Sequence, residues 1–506
     1  MEKMKRPWLY RGIISLVFLA SIFLMPQKAF SAASEDREVA KARLGECWKQ
    51  FGESCDLSGL NLGEEDLSQL YTEAMYEYPE CFYVNISFGI VRINTDQGFL
   101  IIKPQYSQTP SKAKTMSAKM EKQVKQALAP VHKSWSDLEK ILYIHDYLST
   151  SVSYDLTYSK HTMYDAMVTK QAVCQGYCMA GKYLLNRLGV TCEVVWSKKL
   201  NHAWNAVLVN GKLYYMDITK DDPTIDTLGQ ARHTYFLKSA GYFYKDGEHN
   251  NTGDWRMTGG KTGLSVNSAK YDNYFWNQVR SRLVYLNGYW YAARQDGSIF
   301  RYRCNGSVFY KRKHIIRRKE IWGTHKNGKE LNLADRFLML ATCQGQLFYS
   351  TPHAVYRLNL KNRVSTEVFR LSFAQQKKGW NYGMDMDEKG IIYYQYATAS
   401  NLRGKISKGP SVWNYTAFSG VYKTKKGALL KWEKVSTAKG YYIYRKSAGG
   451  SWKLYKTIKG YRTGYYLDKS VRKRKGTYYY RIAAYGTRNG RKVVSKKSPA
   501  CKVKYA

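Results

Sequence analysis

The sequence predicts a multidomain protein: an α+β core, then a β-rich repeat region, then a β-sandwich. Three observations predict this. The chain has 506 residues, more than one compact domain normally holds. Helical apolar spacing is confined to the stretch before about residue 190. Beyond about 270 the helical period disappears, and short tyrosine-rich strands alternate with polar turns, the habit of all-β domains. An apolar content of 44% excludes a disordered chain, and nine cysteines in this length exclude a disulfide-dense miniature.

The elements follow in order. At the N-terminus, Lys3, Lys5, Arg6 and Arg11 flank an apolar run from Gly12 to Met25, followed by the small residues Ala29, Ser31, Ala32 and Ala33. This pattern reads as a signal peptide over 1–31. The run is short for a membrane span, so the expectation is a secreted chain, extracellular or attached to the cell wall, with no stable span after signal removal. Residues 34–135 read as an N-terminal α+β region: helices over Arg37–Phe51 and Asp66–Tyr78, strands over Phe82–Ile93 and Gly98–Ile102, and a basic helix over Lys112–Ala129. A catalytic domain is expected over 136–265. Its first helix, Ser136–Thr150, opens with Ser136 and Glu139 at capping-box spacing. A second helix runs from Cys174 to Leu188. A strand follows at Thr191–Ser197, and then His202–Val209 and Lys212–Ile218 flank Asn210-Gly211, a strong hairpin signal.

Residues 270–410 form the repeat region. Asn287-Gly288, Gln344-Gly345 and Lys389-Gly390 each precede an aromatic strand, which suggests propeller-like blades. Lys311–Lys319 is strongly basic and reads as an exposed loop or edge. Residues 420–506 alternate short strands and turns, a sandwich pattern.

Charge is uneven. The chain carries +42 overall, and +23 of that lies in residues 411–506. A polyanion partner is implied for that end. Because the N-terminus predicts export, an anionic cell-wall polymer is expected rather than nucleic acid. The odd number of cysteines leaves at least one thiol unpaired. Cys174 and Cys178 have no histidine at zinc spacing, so no metal and no cofactor are assigned.

Chemistry concentrates in 171–223. Cys174 opens a predicted helix, where the partial positive charge of the helix end favours a thiolate nucleophile. With Asn210-Gly211 as a two-residue turn, Val209 faces Lys212 and Trp204 faces Asp217. His202 then shares a face with Trp204, which makes His202 and Asp217 diagonal neighbours. An aspartate on one imidazole nitrogen fixes the tautomer and supports the imidazolium. A one-residue slip would separate the two. Cys174, His202 and Asp217 are thus candidates for nucleophile, base and orienting acid. Cys178 reads as core. His145 and Asp146 read as packed or capping. Asp221 and Asp222 read as turn-forming.

The motifs Val173-Cys174-Gln175-Gly176-Tyr177, His202-Ala203-Trp204-Asn205 and Asp217-Ile218-Thr219-Lys220-Asp221-Asp222-Pro223 resemble, in this order, those of the transglutaminase-like branch of the papain-like fold. His145-Asp146-Tyr147-Leu148 and Tyr154-Asp155 extend the resemblance, which covers about 136–225. It implies a Cys174–His202–Asp217 triad acting on amide bonds of proteins or peptides through a thioester, by hydrolysis or transamidation. Lys220 departs from the pattern, standing where members often carry an aromatic residue. The C-terminal strands, with Trp432, Tyr466-Leu467-Asp468 and Tyr478-Tyr479-Tyr480, resemble fibronectin type III modules, which implies a spacer or binding role. The competing expectation is a non-catalytic envelope-binding or adhesion protein whose transglutaminase-like part is an inactive scaffold.

Overall fold

The structure, a computed structural model, describes residues 34–506 except 94–98, 223–225, 260–264, 295, 321, 323–324, 327–328, 331–336, 399–400, 413–417, 433, 436–437, 473–474, 489–490, 496, 499 and 506. The signal-peptide expectation and Pro223 lie outside the described residues.

Helices α1 (Ser34–Lys49) and α2 (Glu64–Glu77) pack beside a three-stranded antiparallel sheet of β1 (Cys55–Asp56), β2 (Val84–Ile93) and β3 (Phe99–Tyr106), in the order β1-β3-β2. Leu44, Trp48, Leu70, Tyr71 and Ile102 fill the space between them. A Cys47–Cys55 disulfide joins α1 to β1. Seven other cysteines are free among the described residues.

Helix α3 (Pro110–Leu128) starts at Thr109, whose side chain accepts from the Lys112 N–H. Helix α4 (Asp137–Ser151) has the expected capping box: the Ser136 side chain accepts from the Glu139 N–H, and the Glu139 carboxylate accepts from the Ser136 N–H. The chain then forms two short parallel strands, β4 (Ser153–Tyr154) and β5 (Gln171–Ala172), and enters α5 (Cys174–Arg187). Strands β6 (Cys192–Ser197), β7 (His202–Val209), β8 (Lys212–Met216) and β9 (Arg256–Met257) make an antiparallel sheet in the order β8-β7-β6-β9. Helix α5 packs on β6 and β7, and α4 packs on α5. The core of this unit runs on into the next region. Leu142, Leu184 and Val207 share one apolar cluster with Trp276, Trp290 and Phe309.

Three antiparallel meanders follow. The first is β10 (Val284–Leu286), β11 (Tyr289–Ala293), β12 (Ser298–Cys304) and β13 (Phe309–Arg317). The second is Leu340–Cys343, Gln346–Ser350, Ala354–Leu358 and Ser365–Arg370, and the third Gly379–Met386, Ile391–Thr398 and Asn401–Ser411. In each, the glycine-containing turn read from the sequence joins the first strand to the second. The basic stretch falls on β13, an edge strand. The propeller-like expectation is met only in part: three sheets share an apolar cluster, and among the described residues no closed barrel or propeller is found. A propeller needs about four or more blades around a channel, and this region supplies three meanders.

The C-terminal residues form two packed sheets. One has Phe418–Thr424, Gly427–Trp432 and Tyr465–Asp468; the other has Lys453–Lys459, Gly440–Ser447, Gly476–Arg488, Arg491–Val494 and Cys501–Tyr505. Leu430, Trp432, Tyr441, Ile443, Tyr480 and Ile482 lie between them.

Candidate active site

The site sits where the N-terminus of α5 meets the starts of β7 and α6 (Ile218–Asp221). Cys174 is the first helical residue of α5. Its N–H therefore belongs to the first turn, whose donors have no acceptor inside the helix. The approach to Cys174 is held rigidly. The Val173 N–H donates to the Lys160 carbonyl at 2.8 Å and the Asp155 N–H to the Ala172 carbonyl at 2.9 Å. Asp155 in turn accepts from the backbone of Thr157, Ser159 and Lys160. Helix α5 also comes unusually close to its neighbours. A Cβ on Gly176 would lie 2.9 Å from the Thr162 carbonyl, and one on Gly181 would lie 2.9 Å from the Asn205 side-chain oxygen.

The hairpin has the expected register. Asn210 and Gly211 both have positive φ, 48° and 73°, as a type I′ turn requires. Val209 pairs with Lys212 and Asn205 with Met216. Asp217 leaves the end of β8, caps α6 by accepting the Lys220 N–H at 3.0 Å, and is fully buried. His202 Nε2 stands 2.6 Å from Asp217 Oδ2. The Cys174 thiol contributes to the electrostatics of the same ring, and since Nε2 faces Asp217, Nδ1 is the nitrogen left for sulfur.

Electrostatics favour a charged His202. Burial alone would lower its pKa, but the charge and hydrogen bond of Asp217, with a contribution from Cys174, outweigh that and raise it to about 10. Burial opposes ionisation of Asp217, yet the His202 and His249 rings hold its carboxyl well below the usual range. An imidazolium beside a thiol at a helix N-terminus is the arrangement that stabilises a thiolate.

The structure therefore brings Cys174, His202 and Asp217 together. The other residues singled out lie close by but engage different partners. Cys178 is buried one turn along α5 and donates to the Gln175 carbonyl. Burial pushes its thiol well above the ordinary value. His145 and Asp146 lie in a fully interior chain. His145 contacts Asp146 at 2.9 Å and Asp221 at 3.1 Å, and His233 contacts Asp146 at 2.8 Å. Asp222 accepts from the Tyr177 hydroxyl. Lys220 forms an ion pair with Glu248 at 2.6 Å.

Sequence reasoning missed His249, and it placed Tyr154 and Gln175 in motifs without their contacts. His249 Nε2 lies 2.9 Å from Asp217 Oδ2; its segment has no periodicity that would place it there. Burial pushes the Tyr154 hydroxyl up, and the neighbouring Cys174 adds to this. Gln175, next to the nucleophile candidate, donates to the Tyr76 hydroxyl at 3.1 Å and contacts His161 at 3.0 Å; Tyr76 comes from α2, a helix the sequence left remote. The sets His202–Asp217–His249 and His145–Asp146–His233 bring ligand-type atoms within 4.8 Å of one another. The atoms concerned are already hydrogen-bonded to one another, so the sets read as hydrogen-bond chains.

Residues 124–218 match the family described as the Transglutaminase-like superfamily, and this stretch contains Cys174, His202 and Asp217. The chain carries a transglutaminase-like domain there, followed by several β-sheet domains. No protein of curated function matches. Among solved structures, a chain from Cytophaga hutchinsonii named "Putative Cysteine Protease" is similar at 16% identity and TM-score 0.18, covering 28% of this chain and 65% of that one. A chain from Parabacteroides distasonis named "putative protease" is similar at 14% identity and TM-score 0.16, covering 25% and 35%. PorZ, a bacterial surface component of the type-IX secretion system of Porphyromonas gingivalis, is similar at 10% identity and TM-score 0.22, covering 61% and 44%. This chain thus spans less than two thirds of each of them.

Proposed function

We propose that the transglutaminase-like domain is a cysteine-dependent acyl-transfer enzyme acting on amide bonds of proteins or peptides. The observation that carries this reading is one imidazole, His202, held 2.6 Å from a buried carboxylate and within electrostatic reach of the Cys174 thiol at a helix N-terminus. The Cys174 thiolate attacks the amide carbonyl carbon. The developing oxyanion takes the Cys174 N–H as a donor. The C–N bond then breaks, and the amine or ammonia leaves with the proton of His202, giving a thioester. Water or an amine attacks the thioester, His202 takes the proton from that nucleophile, and the thiolate is released. Water gives hydrolysis and an amine gives a crosslink. Asp217 keeps Nδ1 aimed at sulfur and supports the imidazolium throughout.

The test is incubation with a glutamine-containing peptide and a labelled amine, following ammonia release and label incorporation together. The parent should give at least one product, and Cys174→Ala neither. Equal product from both proteins would sink the reading in favour of an inactive scaffold.

The C-terminal sandwich, on this reading a fibronectin type III-like spacer, localises the exported enzyme on an anionic cell-wall polymer. Residues 411–506 hold 25 Lys and Arg against two Asp and Glu. The described acid of the pair, Asp468, is buried, bonded to Arg445 at 2.7 Å. The solvent face carries Lys453, Lys456, Lys459, Lys502 and Lys504, all exposed. Among the described residues no helix is long and apolar enough to cross a membrane. Binding to purified wall polymer should be strong at low salt and lost by ~0.5 M salt, where the screening length falls to a few ångströms. Undiminished binding after deletion of 411–506 would argue against this role.

A further inference from the structure

His249 contacts the site without belonging to any of its motifs. It follows α7 (Ala240–Phe243) in a loop that folds back over α6. Its Nε2 lies 2.9 Å from Asp217 Oδ2, and its Nδ1 lies 2.6 Å from Asp246 Oδ2. Each carboxylate accepts three hydrogen bonds. Asp217 Oδ2 faces His202 as well as His249, while Oδ1 takes the Lys220 N–H. Asp246 Oδ1 takes the N–H groups of Glu248 and His249 at 2.7 and 2.8 Å. Against their burial, these donors and the imidazole rings hold both carboxyls below the usual range, so both are anions. A neutral imidazole has one N–H, so one of its nitrogens would aim a lone pair at an anion. Two N–H groups satisfy both contacts, which makes the ring an imidazolium.

The surroundings hold it there. His249 has no solvent exposure. Phe243 from α7 packs on it at 4.0 Å between ring centres, Tyr235 at 5.1 Å and Trp204 from β7 at 5.3 Å. The Lys220–Glu248 ion pair ties the loop to α6, which gives Lys220, the departure from the family pattern, a partner. The charged and titratable groups around the ring are Asp217, Asp246, Glu248, Lys220, His202 and the Tyr235 hydroxyl, with Asp221 beyond Tyr235.

We propose that His249 is a positioning residue, a fixed cation that shares Asp217 with His202 and limits how tightly His202 holds its proton. The two rings stand 5.8 Å apart, so each disfavours the charge of the other across the carboxylate between them. The consequence is chemical. Asp217 alone would stabilise the His202 imidazolium so well that it became a poor acid toward the leaving amine. A second cation on the same oxygen makes His202 a better acid and also stops the carboxylate from rotating. This inference rests on the reading of Cys174 and His202 given under Proposed function.

The experiment is alkylation of Cys174 by iodoacetamide as a function of pH, read at that cysteine by peptide mass spectrometry. It needs no substrate. In an ion pair the rate rises once when the thiolate forms and again, at higher pH, when His202 loses its proton. His249→Gln keeps an N–H for Asp217 but removes the charge. Asp246→Asn keeps the ring and lets it become neutral. Each should move the upper step to higher pH by about one to two units, because losing a nearby cation makes the His202 imidazolium easier to keep. A role in packing alone would leave that step in place. If His249→Gln does not fold, Asp246→Asn decides. A parent with two steps whose variants keep the same upper step overturns this inference alone. A parent with a single step at the ordinary thiol value, about 8.5, overturns both this inference and the reading it rests on.

Discussion

Asp217 holds more of the site together than the nucleophile does. It accepts from two imidazoles and one backbone N–H while fully buried. Asp217→Asn should therefore do more damage than its small change in shape suggests. The new amide keeps only one oxygen, so its NH2 group must meet either the two rings or the Lys220 N–H, all of them donors, and in either orientation His202 loses the negative charge that supports it as a cation. The expected result is a fall in kcat on the order of 10²-fold or more with little change in KM, together with slower alkylation of Cys174 at neutral pH. Stability should drop as well, by about 1–3 kcal/mol, because His249 and His202 would be left buried beside a weaker acceptor. Steady-state kinetics and a thermal melt check the two halves. Much of this residue pairing was legible in the sequence. Asn210-Gly211 dictates the turn, the turn dictates the register, and the register places His202 beside Asp217. His249 was not legible, because its loop has neither period nor turn rule and its position is set by packing on Phe243 and Trp204.

At the level of elements, the position of Cys174 depends on how closely α5 can approach what lies behind it. Gly176 is the tightest point. A methyl group there would meet the Ala172 Cβ at 2.6 Å and the Thr162 carbonyl at 2.9 Å, both in the segment that leads into Cys174. Gly176→Ala should push the first turn of α5 outward, cost about 1–3 kcal/mol, and slow Cys174 alkylation by at least about tenfold, since a misplacement of about 1 Å can cost about 10²-fold in reactivity. Ser136→Ala supplies the contrast. It removes the α4 capping box at a cost of about 1 kcal/mol but should leave alkylation unchanged, because α4 touches the site only through its interior face. Helix boundaries were readable because caps and glycines are local signals. Which helix would face Gln175 was not, since Tyr76 reaches it across nearly a hundred residues of sequence.

Across the whole molecule, the transglutaminase-like domain and the first meander form one interior. Trp290 of β11 donates to Glu139 of α4 at 2.9 Å, and Asp146 accepts the Leu283 N–H at the entry to β10. Such joins are invisible in sequence, where composition changes mark a boundary that packing crosses. A fragment ending at 265 would leave Leu142, Leu184 and Val207 without Trp276, Trp290 and Phe309 and should not fold as a stable unit. The buried chain Asp221–His145–Asp146–His233 makes the join sensitive to pH. Burial lowers the His145 pKa, but Asp146 and Asp221 more than reverse that and raise it to about 9; Asp146 is held down at about 2, against its burial, by His233 and His145. The unfolded histidine titrates near 6.5. A raised histidine binds its proton more tightly when folded, so its contribution is complete below about pH 6.5 and is lost as the pH rises through about 9. Asp146 acts in the other direction, contributing above about pH 4 and losing that contribution as the pH falls through about 2. Lys238, which burial lowers to about 8, gains stability with rising pH, but only above that value. Between pH 6.5 and 8 the histidine loss therefore stands unopposed by Lys238. The melting temperature of the parent should fall across that window. His145→Gln should melt lower at pH 6.5 and show a visibly shallower slope. Parallel slopes in parent and variant would show that His145 is neutral in the folded protein and that its neighbours hold it by geometry alone.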